Sequence, residues 1–233
     1  RLAVAESETH TDLTTIAQAL VADGEVLPCG SAGLAAAWAD ALHLHGSYLP
    51  PWPGTAGPVL LVSGSRNAAT QGQLQALRNA LPVAWFELDG LIGPQDAREL
   101  GERIAMALMA GQDAVLSASF GALLPGAALQ IAQMLGETVC VTLTGMLAAG
   151  SRPAGLVLTG GDTALHVCRA LQITALTICG AIEPGIPGSW VSQGICDGLP
   201  VVTKAGGFGS ARALWRAVRW IKEGERMRGE SDG

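Results

Sequence analysis

The chain alternates short apolar runs with helical patterns, and this alternation constrains its fold more than any other feature. From about residue 58 onward, runs such as "VLLVSGS" and "GLVLTGG" are typical of buried strands, and each ends in glycine and a hydroxyl or second glycine residue. A helical pattern follows most of these runs. Strands and helices of these lengths predict a layered α/β/α domain with a largely parallel or mixed sheet.

The pattern predicts six strands and eight helices. The strands are "VLLVSGS", "VAWFEL", "DAVLSAS", "GLVLTGG", "ITALTIC" and "LPVVTKAGG". The helices cover 11–22, 32–45, 68–80, a long segment that begins at Pro94, two consecutive helices within 126–149, and then 163–171 and 210–222. Residues 126–149 are ambiguous, because "ETVCVTLTG" is β-branched while its apolar residues recur at helical spacing. Residues 180–198 are predicted to form a long loop, and Ser31 is predicted to cap the second helix.

A proline- and glycine-rich segment divides the chain into two parts. "GSYLPPWPGTAGP" holds four prolines and three glycines in thirteen residues, so it cannot continue a helix. We predict a linker at 48–57, between a short first part at 1–47 and the main domain at 58–223. Residues 224–233 are predicted to form a frayed tail. Because the chain does not begin with Met, we expect it to be a piece of a longer protein.

Charge and cysteine content narrow the class of protein. The net charge is -6 with scattered arginines, which argues against a nucleic-acid partner, so an anionic ligand must be held by a few local groups. The five cysteines are widely spaced and form no metal motif, and the four histidines are not spaced as metal ligands. With no signal peptide and no apolar run of 18 residues, we expect a soluble cytoplasmic protein without a membrane partner.

The first strand-to-helix junction is "VSGSRNAATQGQ" at 62–73. Gly64 allows a tight turn after the strand, and Ser65, Asn67 and Thr70 offer polar side chains around a helix N-terminus. Such a loop is either a helix cap or a place where exposed amides and the helix dipole bind an anion. Both interpretations remain open from the sequence.

The second junction is "LVLTGGDTALHV" at 156–167. Gly160 and Gly161 have no Cβ, so a ligand can approach the backbone closely. Asp162 and Thr163 then open the helix. Asp162 either caps this helix or helps to hold Mg²⁺ beside phosphate oxygens.

The third junction is "PVVTKAGGFGS" at 200–210. Lys204 is one of two lysines in the chain, and it precedes Gly206, Gly207 and Gly209. A lysine here is a solubilising charge, a cation that contacts phosphates, or a donor to the carbonyls of the glycine loop. Neither the Walker A pattern nor GxGxxG occurs in the sequence, so a standard P-loop fold is not expected.

These motifs together carry a resemblance to a known family. "SGS…T…Q" at 63–73, "GLVLTGGDTA" at 155–164, "GAIEPGIP" at 180–187 and "GLPVVTKAGGFG" at 198–209 occur in this order. The set resembles the C-terminal nucleotide-binding domain of four-carbon acid sugar kinases, such as the 3-oxo-tetronate, threonate and erythronate kinases. Residues 1–47 resemble the end of the family's N-terminal substrate domain, itself α/β. That domain's DD-x-TG type motif is absent here, so this is either a fragment of a longer protein or a truncated relative.

The resemblance implies phosphoryl transfer from ATP, with Mg²⁺, to a hydroxyl of a four-carbon sugar acid, and residues for the acceptor are expected upstream. The nucleotide-binding residues that it implies are Ser65, Gly160, Gly161, Asp162, Thr163, Gly206 and Gly207, with Asp162 as a candidate metal ligand. Two more candidates are Lys204, from its place in the third junction, and Asn67, whose side chain can donate a hydrogen bond. Asn67 stands where relatives commonly have a serine. Glu183 in "IEPGIP" is expected to reach the ribose, the metal or the domain interface.

Two other functions remain compatible with the sequence. One is a nucleotide-binding or sensing module derived from such a kinase without its chemistry. The other is an unrelated α/β binding protein whose glycine loops serve as helix caps. The expected partners are a nucleotide and a small sugar acid. Exposed sheet edges and the missing domain also favour association into a homo-oligomer.

Overall fold

The computed structural model of the chain describes residues 2–44, 52–90, 93–119 and 127–224. The chain folds into two compact units, residues 1–49 and 50–233. Most of the predicted tail and four of the ten residues of the predicted linker lie outside the described residues. The assignment of the shorter unit to the end of a substrate domain stays a prediction.

The shorter unit contains two helices, α1 (His10–Asp23) and α2 (Ala32–Ala41). Thr9 begins α1 with a capping box: its Oγ1 accepts from the Asp12 N–H at 3.2 Å, while an Asp12 carboxylate oxygen accepts from the Thr9 N–H at 2.8 Å. Ser31 precedes α2 as predicted, but its side chain makes no capping hydrogen bond. The second helix ends at Ala41, four residues before the predicted end.

The larger unit alternates strands and helices. In chain order its elements are β1 (Val59–Ser63), α3 (Ala68–Ala80), β2 (Ala84–Asp89), α4 (Pro94–Met109), β3 (Ala114–Ser119), α5 (Ala127–Ala148), β4 (Gly155–Thr159), α6 (Gly161–Ala170), β5 (Ala175–Glu183), β6 (Ile186–Gln193), β7 (Pro200–Lys204) and α7 (Ala213–Glu223). All six predicted strands are present, together with one that was not predicted, β6.

The strands form one sheet in the order β2-β3-β1-β4-β7-β6-β5. The first five strands in this order are parallel, and β6 and β5 run antiparallel to their neighbours. One face of the sheet packs on α4, α5 and α6, and the other packs on α3 and α7. The predicted three-layer α/β fold with a largely parallel sheet is therefore confirmed.

The prediction of a long loop at 180–198 was wrong, because a β-hairpin of β5 and β6 occupies most of this segment. The prolines suggested a loop. Pro184 lies in the turn, where it is tolerated, and the pairing is irregular between Ala181 and Glu183, next to the Ala181–Pro187 pair. Pro187, which has no N–H, is accommodated at this irregularity.

The prediction of two helices within 126–149 was also wrong, since residues 127–148 form the single helix α5. Burial explains why the β-branched residues remain helical. Thr142 donates from its hydroxyl to the Thr138 carbonyl at 2.9 Å and to the Gly101 carbonyl of α4 at 3.1 Å. Tertiary packing thus overrides the local β propensity of this segment. By length and composition α5 could cross a membrane, but half of its apolar window is buried in the protein core.

Two glycines of α5 provide a matched test of this packing. A Cβ added to Gly136 would lie 2.7 Å from the His166 carbonyl oxygen of α6, whereas a Cβ at Gly145 would meet nothing within 4 Å. We expect Gly136→Ala to lower the free energy of unfolding by about 1–3 kcal/mol through overpacking. Gly145→Ala should raise it by about 0.5–1 kcal/mol through helix propensity. Urea unfolding followed by tryptophan fluorescence measures both, and equal signs would contradict the α5–α6 contact.

Candidate functional site

The order of the strands places a crevice at the centre of the sheet. β1 and β4 are neighbours, but the chain leaves β1 toward the side of β3 and β2, and leaves β4 toward the side of β7. Open α/β sheets bind ligands at the carboxyl ends of strands where the direction of winding reverses in this way. The three glycine junctions follow β1, β4 and β7, so they lie side by side at this edge.

A row of polar residues ends these three strands. Ser63 is paired with Thr159, and Thr159 with Lys204, in the parallel register. All three side chains are buried. The hydroxyls of Ser63 and Thr159 have no hydrogen-bond partner in the part of the chain that the structure describes. The sheet therefore has a polar layer directly beneath the three junctions.

The first and second junctions pack against each other through glycine. A Cβ on Gly64 would overlap Oγ1 of Thr163, and a Cβ on Gly160 would lie 3.1 Å from the same oxygen. Gly160 also has a φ of 106°, which side chains rarely adopt. The buried Thr163 is thus a packing partner of both loops, in addition to its predicted role toward nucleotide.

The N-terminus of α6 presents backbone donors. Gly160 occupies the N-cap position and provides no side-chain cap, so among the described residues the first N–H groups of the helix have no intrahelical or capping acceptor. Gly161 and Asp162 are exposed, and a Cβ on Gly161 would meet nothing within 4 Å. These amides and the positive end of the helix dipole are suited to bind an anion.

The first and third junctions are also in contact. A Cβ on Gly206 would lie 2.5 Å from Oγ of Ser65, and a Cβ on Gly207 would lie 3.4 Å from Nδ2 of Asn67. Asn67 caps α3, since its Oδ1 accepts from the Ala69 N–H at 2.9 Å. The capping role predicted as one alternative for this loop is therefore present, while the side-chain N–H₂ of Asn67 faces the glycine loop.

Lys204 is buried under the glycine loop, with 3% of its surface exposed. Its ammonium donates to the Ala205 carbonyl at 2.9 Å, to the Gly206 carbonyl at 3.0 Å and to Oγ1 of Thr70 at 3.1 Å. An ammonium has three N–H donors, so these contacts use all of them. Burial lowers the pKa of Lys204, and the charge of Glu183 opposes this shift. This geometry favours the loop-holding alternative for Lys204, although its contact with nucleotide stays a prediction.

Thr70 and Gln73 of α3 hold the same loop, and neither was among the predicted site residues. The Thr70 hydroxyl donates to the Gly206 carbonyl at 2.7 Å. Nε2 of Gln73 lies 2.9–3.2 Å from the carbonyls of residues 208–210. Both residues belong to the "SGS…T…Q" pattern, which was the available signal in the sequence.

The C=O and N–H of a trans peptide point in opposite directions. Because the carbonyls of Ala205 and Gly206 accept from Lys204, the N–H groups of Gly206 and Gly207 point away from the lysine. Among the described residues, the N–H groups of Gly206 and Gly207 have no acceptor. They lie beside Ser65, near the N-terminus of α6. We call residues 65, 161–162 and 206–207 the cradle, a set of backbone donors from three loops that is suited to oxyanions. The N–H groups of Gly64 and Gly160 do not belong to it, because they donate to the carbonyls of Thr159 and Lys204.

One carboxylate, that of Asp162, lies within the cradle. No group of three or more His, Cys, Asp or Glu residues that could hold a metal occurs in the described ranges. Mg²⁺ is usually bound through one or two carboxylates together with phosphate oxygens and water. Asp162 therefore fits a magnesium ion that is brought by a nucleotide, and this assignment stays a prediction.

Comparison with known proteins identifies the family. The domain family described as "Nucleotide-binding C-terminal domain" matches residues 60–214. A D-threonate kinase from Bordetella bronchiseptica is 33% identical, over 94% of this chain and 52% of that protein. A 3-oxo-tetronate kinase from Pseudomonas fluorescens is 27% identical, over 96% of this chain and 53% of that protein.

A solved structure is similar to this fold as well. It is a Bordetella bronchiseptica protein described as a domain of unknown function with bound citrate, a domain-swapped dimer. Its TM-score is 0.63 at 32% identity, over 92% of this chain and 51% of that chain. The chain spans about half the length of the curated relatives that it matches. It belongs to the family of the nucleotide-binding C-terminal domain of four-carbon acid sugar kinases, as the resemblance of its motifs indicated.

Proposed function

We propose that this chain binds ATP and ADP, with the phosphates in the cradle. The outward-facing amides of Gly206 and Gly207, next to the uncapped N-terminus of α6, are the observation that carries the proposal. The net charge of the chain is negative, so backbone donors rather than a basic surface supply the local attraction for phosphate.

The whole protein then acts as an ATP-dependent kinase that phosphorylates a hydroxyl of a four-carbon sugar acid. The names of the relatives support this substrate class, D-threonate and 3-oxo-tetronate among them. Phosphoryl transfer depends on positioned phosphates and charge compensation more than on covalent chemistry by the protein. Asp162 would hold Mg²⁺, which neutralises charge on the phosphates when bound. In this proposal, the sugar acid is held by a second part of the whole protein, which corresponds to the half of the relatives that this chain does not match.

The cellular setting belongs to the same proposal. A cytoplasmic location supplies ATP and keeps thiols reduced, which suits five cysteines that form no disulfide in the described part of the chain. A homo-oligomer is also proposed, by analogy with the domain-swapped dimer of the Bordetella bronchiseptica structure.

Calorimetric titration of this chain with ADP and Mg²⁺ tests the nucleotide site. We expect saturable binding of ADP at one site per chain and a rise in the melting temperature with ADP concentration. The full reading frame of the gene should release ADP from ATP when D-threonate or 3-oxo-tetronate is added. Absence of both heat and thermal shift with the chain would contradict nucleotide binding. ADP binding without phosphorylation by the full protein would instead favour the non-catalytic module.

Gly161→Ala tests where the phosphates lie. The new methyl group would enter the open space in front of the α6 amides, so we expect ADP to bind about tenfold more weakly, as for the loss of one charge-assisted hydrogen bond. The melting temperature should not fall, because no atom lies within 4 Å of the added Cβ. Gly145→Ala is the matched control at an open position far along α5. An unchanged ADP affinity of Gly161→Ala would contradict this placement of the phosphates.

Lys204→Met and Thr70→Val together test how Lys204 acts. Both changes remove hydrogen bonds to the glycine loop, so each should weaken ADP binding, and each should lower the free energy of unfolding by about 1–3 kcal/mol. If the lysine acts through the loop, the double variant should lose less than the sum of the two single losses. Calorimetry and urea unfolding measure these values. A loss of ADP affinity in Lys204→Met that is additive with that of Thr70→Val would instead mean direct contact with a phosphate.

A further inference from the structure

Glu183 ends β5 at the tip of the β5–β6 hairpin, and its carboxylate is 8% exposed. One oxygen accepts from the Ser210 backbone N–H at 2.7 Å. The other accepts from the Ser210 hydroxyl at 2.7 Å and from a guanidinium N–H of Arg216 at 3.1 Å. Both carboxylate oxygens are therefore committed to the segment that joins the glycine loop to α7.

The hairpin tip also supports the loop by direct packing. A Cβ on Gly185 would lie 2.7 Å or less from the ring of Phe208. A Cβ on Gly209 would lie 2.6 Å from Cδ1 of Ile186 and 3.3 Å from the Glu183 carboxylate. Both glycines have positive φ, so this close fit depends on the absence of a side chain. Residues 208–210 thus rest on the tip of the hairpin.

The glycine loop is consequently held at both ends. Lys204 and Thr70 bind the carbonyls at its start, and Glu183 binds the N–H and hydroxyl at its end. The amides of Gly206 and Gly207, which have no acceptor in the described ranges, lie between these two anchors. The negative charge of Glu183 also favours the charged form of the buried Lys204, which links the two anchors electrostatically.

We propose that Glu183 is a positioning residue of the nucleotide site, which fixes residues 206–210 in the conformation that presents the loop amides, without contacting the nucleotide or its metal. The proposal rests on the proposed function, since it assumes that these amides bind phosphate. It differs from the roles that the motif "IEPGIP" suggested, a contact with the ribose, the metal or a domain interface.

The test compares Glu183→Gln with Glu223→Gln in the 233-residue chain, by calorimetric titration with ADP and Mg²⁺. Glu183→Gln keeps the size of the side chain but replaces one carboxylate oxygen with an NH₂ group, which cannot accept a hydrogen bond. The remaining oxygen still accepts, but it carries no negative charge. Glu223→Gln is the matched control, because Glu223 pairs with Arg219 on the same helix α7. We expect Glu183→Gln to weaken ADP binding about tenfold, as for the loss of one hydrogen bond to a charged group. Glu223→Gln should change it by less than about twofold.

Two features of the design separate positioning from a general loss of stability. Titrations are run well below the melting temperature of each variant, where a folded but less stable protein would keep its ADP affinity. Hydrogen exchange of the Ser210 amide, which donates to Glu183, should become faster in Glu183→Gln and not in Glu223→Gln. Adding Ser210→Ala to Glu183→Gln should cause little further loss, since both changes break the same contact.

Ligand variants separate positioning from direct contact. A positioning role predicts the same loss for ADP and for 2′-deoxy-ADP, with or without Mg²⁺. A loss that disappears with 2′-deoxy-ADP would mean that Glu183 binds the ribose, and a loss that disappears without Mg²⁺ would mean that it binds the metal. Either result would overturn the proposal, as would an unchanged ADP affinity in Glu183→Gln.

Two further outcomes have defined meanings. If Glu183→Gln does not fold, Ser210→Ala alone carries the test, with a severalfold loss of ADP affinity expected and no loss contradicting the proposal. If the unmutated chain binds no ADP, the proposed function fails. If the unmutated chain binds ADP and Glu183→Gln binds it equally well, the proposed function stands and only the positioning role of Glu183 fails.

Discussion

The buried ammonium of Lys204 is the interaction on which the shape of the candidate site depends. An ammonium removed from water without partners costs several kcal/mol, so the surrounding groups must satisfy all of its donors. Here the partners are two carbonyls of the glycine loop and the Thr70 hydroxyl. These contacts turn the carbonyls inward, and the N–H groups of Gly206 and Gly207 consequently face outward. The lysine thus orients the backbone N–H groups that form the surface of the candidate site, and its own charge stays beneath that surface.

The sheet explains why three weak motifs produce one site. Parallel strands in register end at the same level, and β1, β4 and β7 are consecutive in the strand order. Each junction alone resembles an ordinary helix start, as the capping role of Asn67 demonstrates. Brought together, the loops leave no room for side chains at Gly64 and Gly206, so their backbones approach each other closely. The topology therefore converts separate helix starts into a shared set of donors.

The sequence predicted the features that depend on local pattern. The layered fold and six of the seven strands follow from alternating apolar runs, and the three junctions follow from glycine and hydroxyl residues at strand ends. It failed where long-range packing decides. The single helix α5 depends on the contact of Thr142 with Gly101. The β5–β6 hairpin depends on the antiparallel pairing of β6, which contains Pro187, with β7. No local signal reports such contacts.

The sequence predicted which residues lie together at the candidate site better than it predicted the contacts that each of them makes. Lys204 stood out because the chain contains so few lysines, yet its three acceptors include Thr70, which is 134 positions away. The role of Glu183 likewise required the position of Ser210, 27 residues later in the chain. Motif spacing identifies which residues converge at a strand edge, whereas hydrogen-bond partners emerge once the chain is folded.

The carboxylates of the candidate site indicate which steps of the proposed kinase reaction this chain serves and which belong to the substrate half of the protein. The carboxylate of Glu183 is committed to Ser210 and Arg216, so in the proposed reaction the metal ion is assigned to Asp162. A single carboxylate that holds Mg²⁺ is poorly placed to accept a proton from the attacking hydroxyl as well, since the cation lowers its basicity. The described residues therefore hold the phosphoryl donor in the proposed reaction. In the proposed reaction, the groups that orient and deprotonate the sugar-acid hydroxyl come from the substrate half of the protein, and nucleotide binding by this chain does not require them.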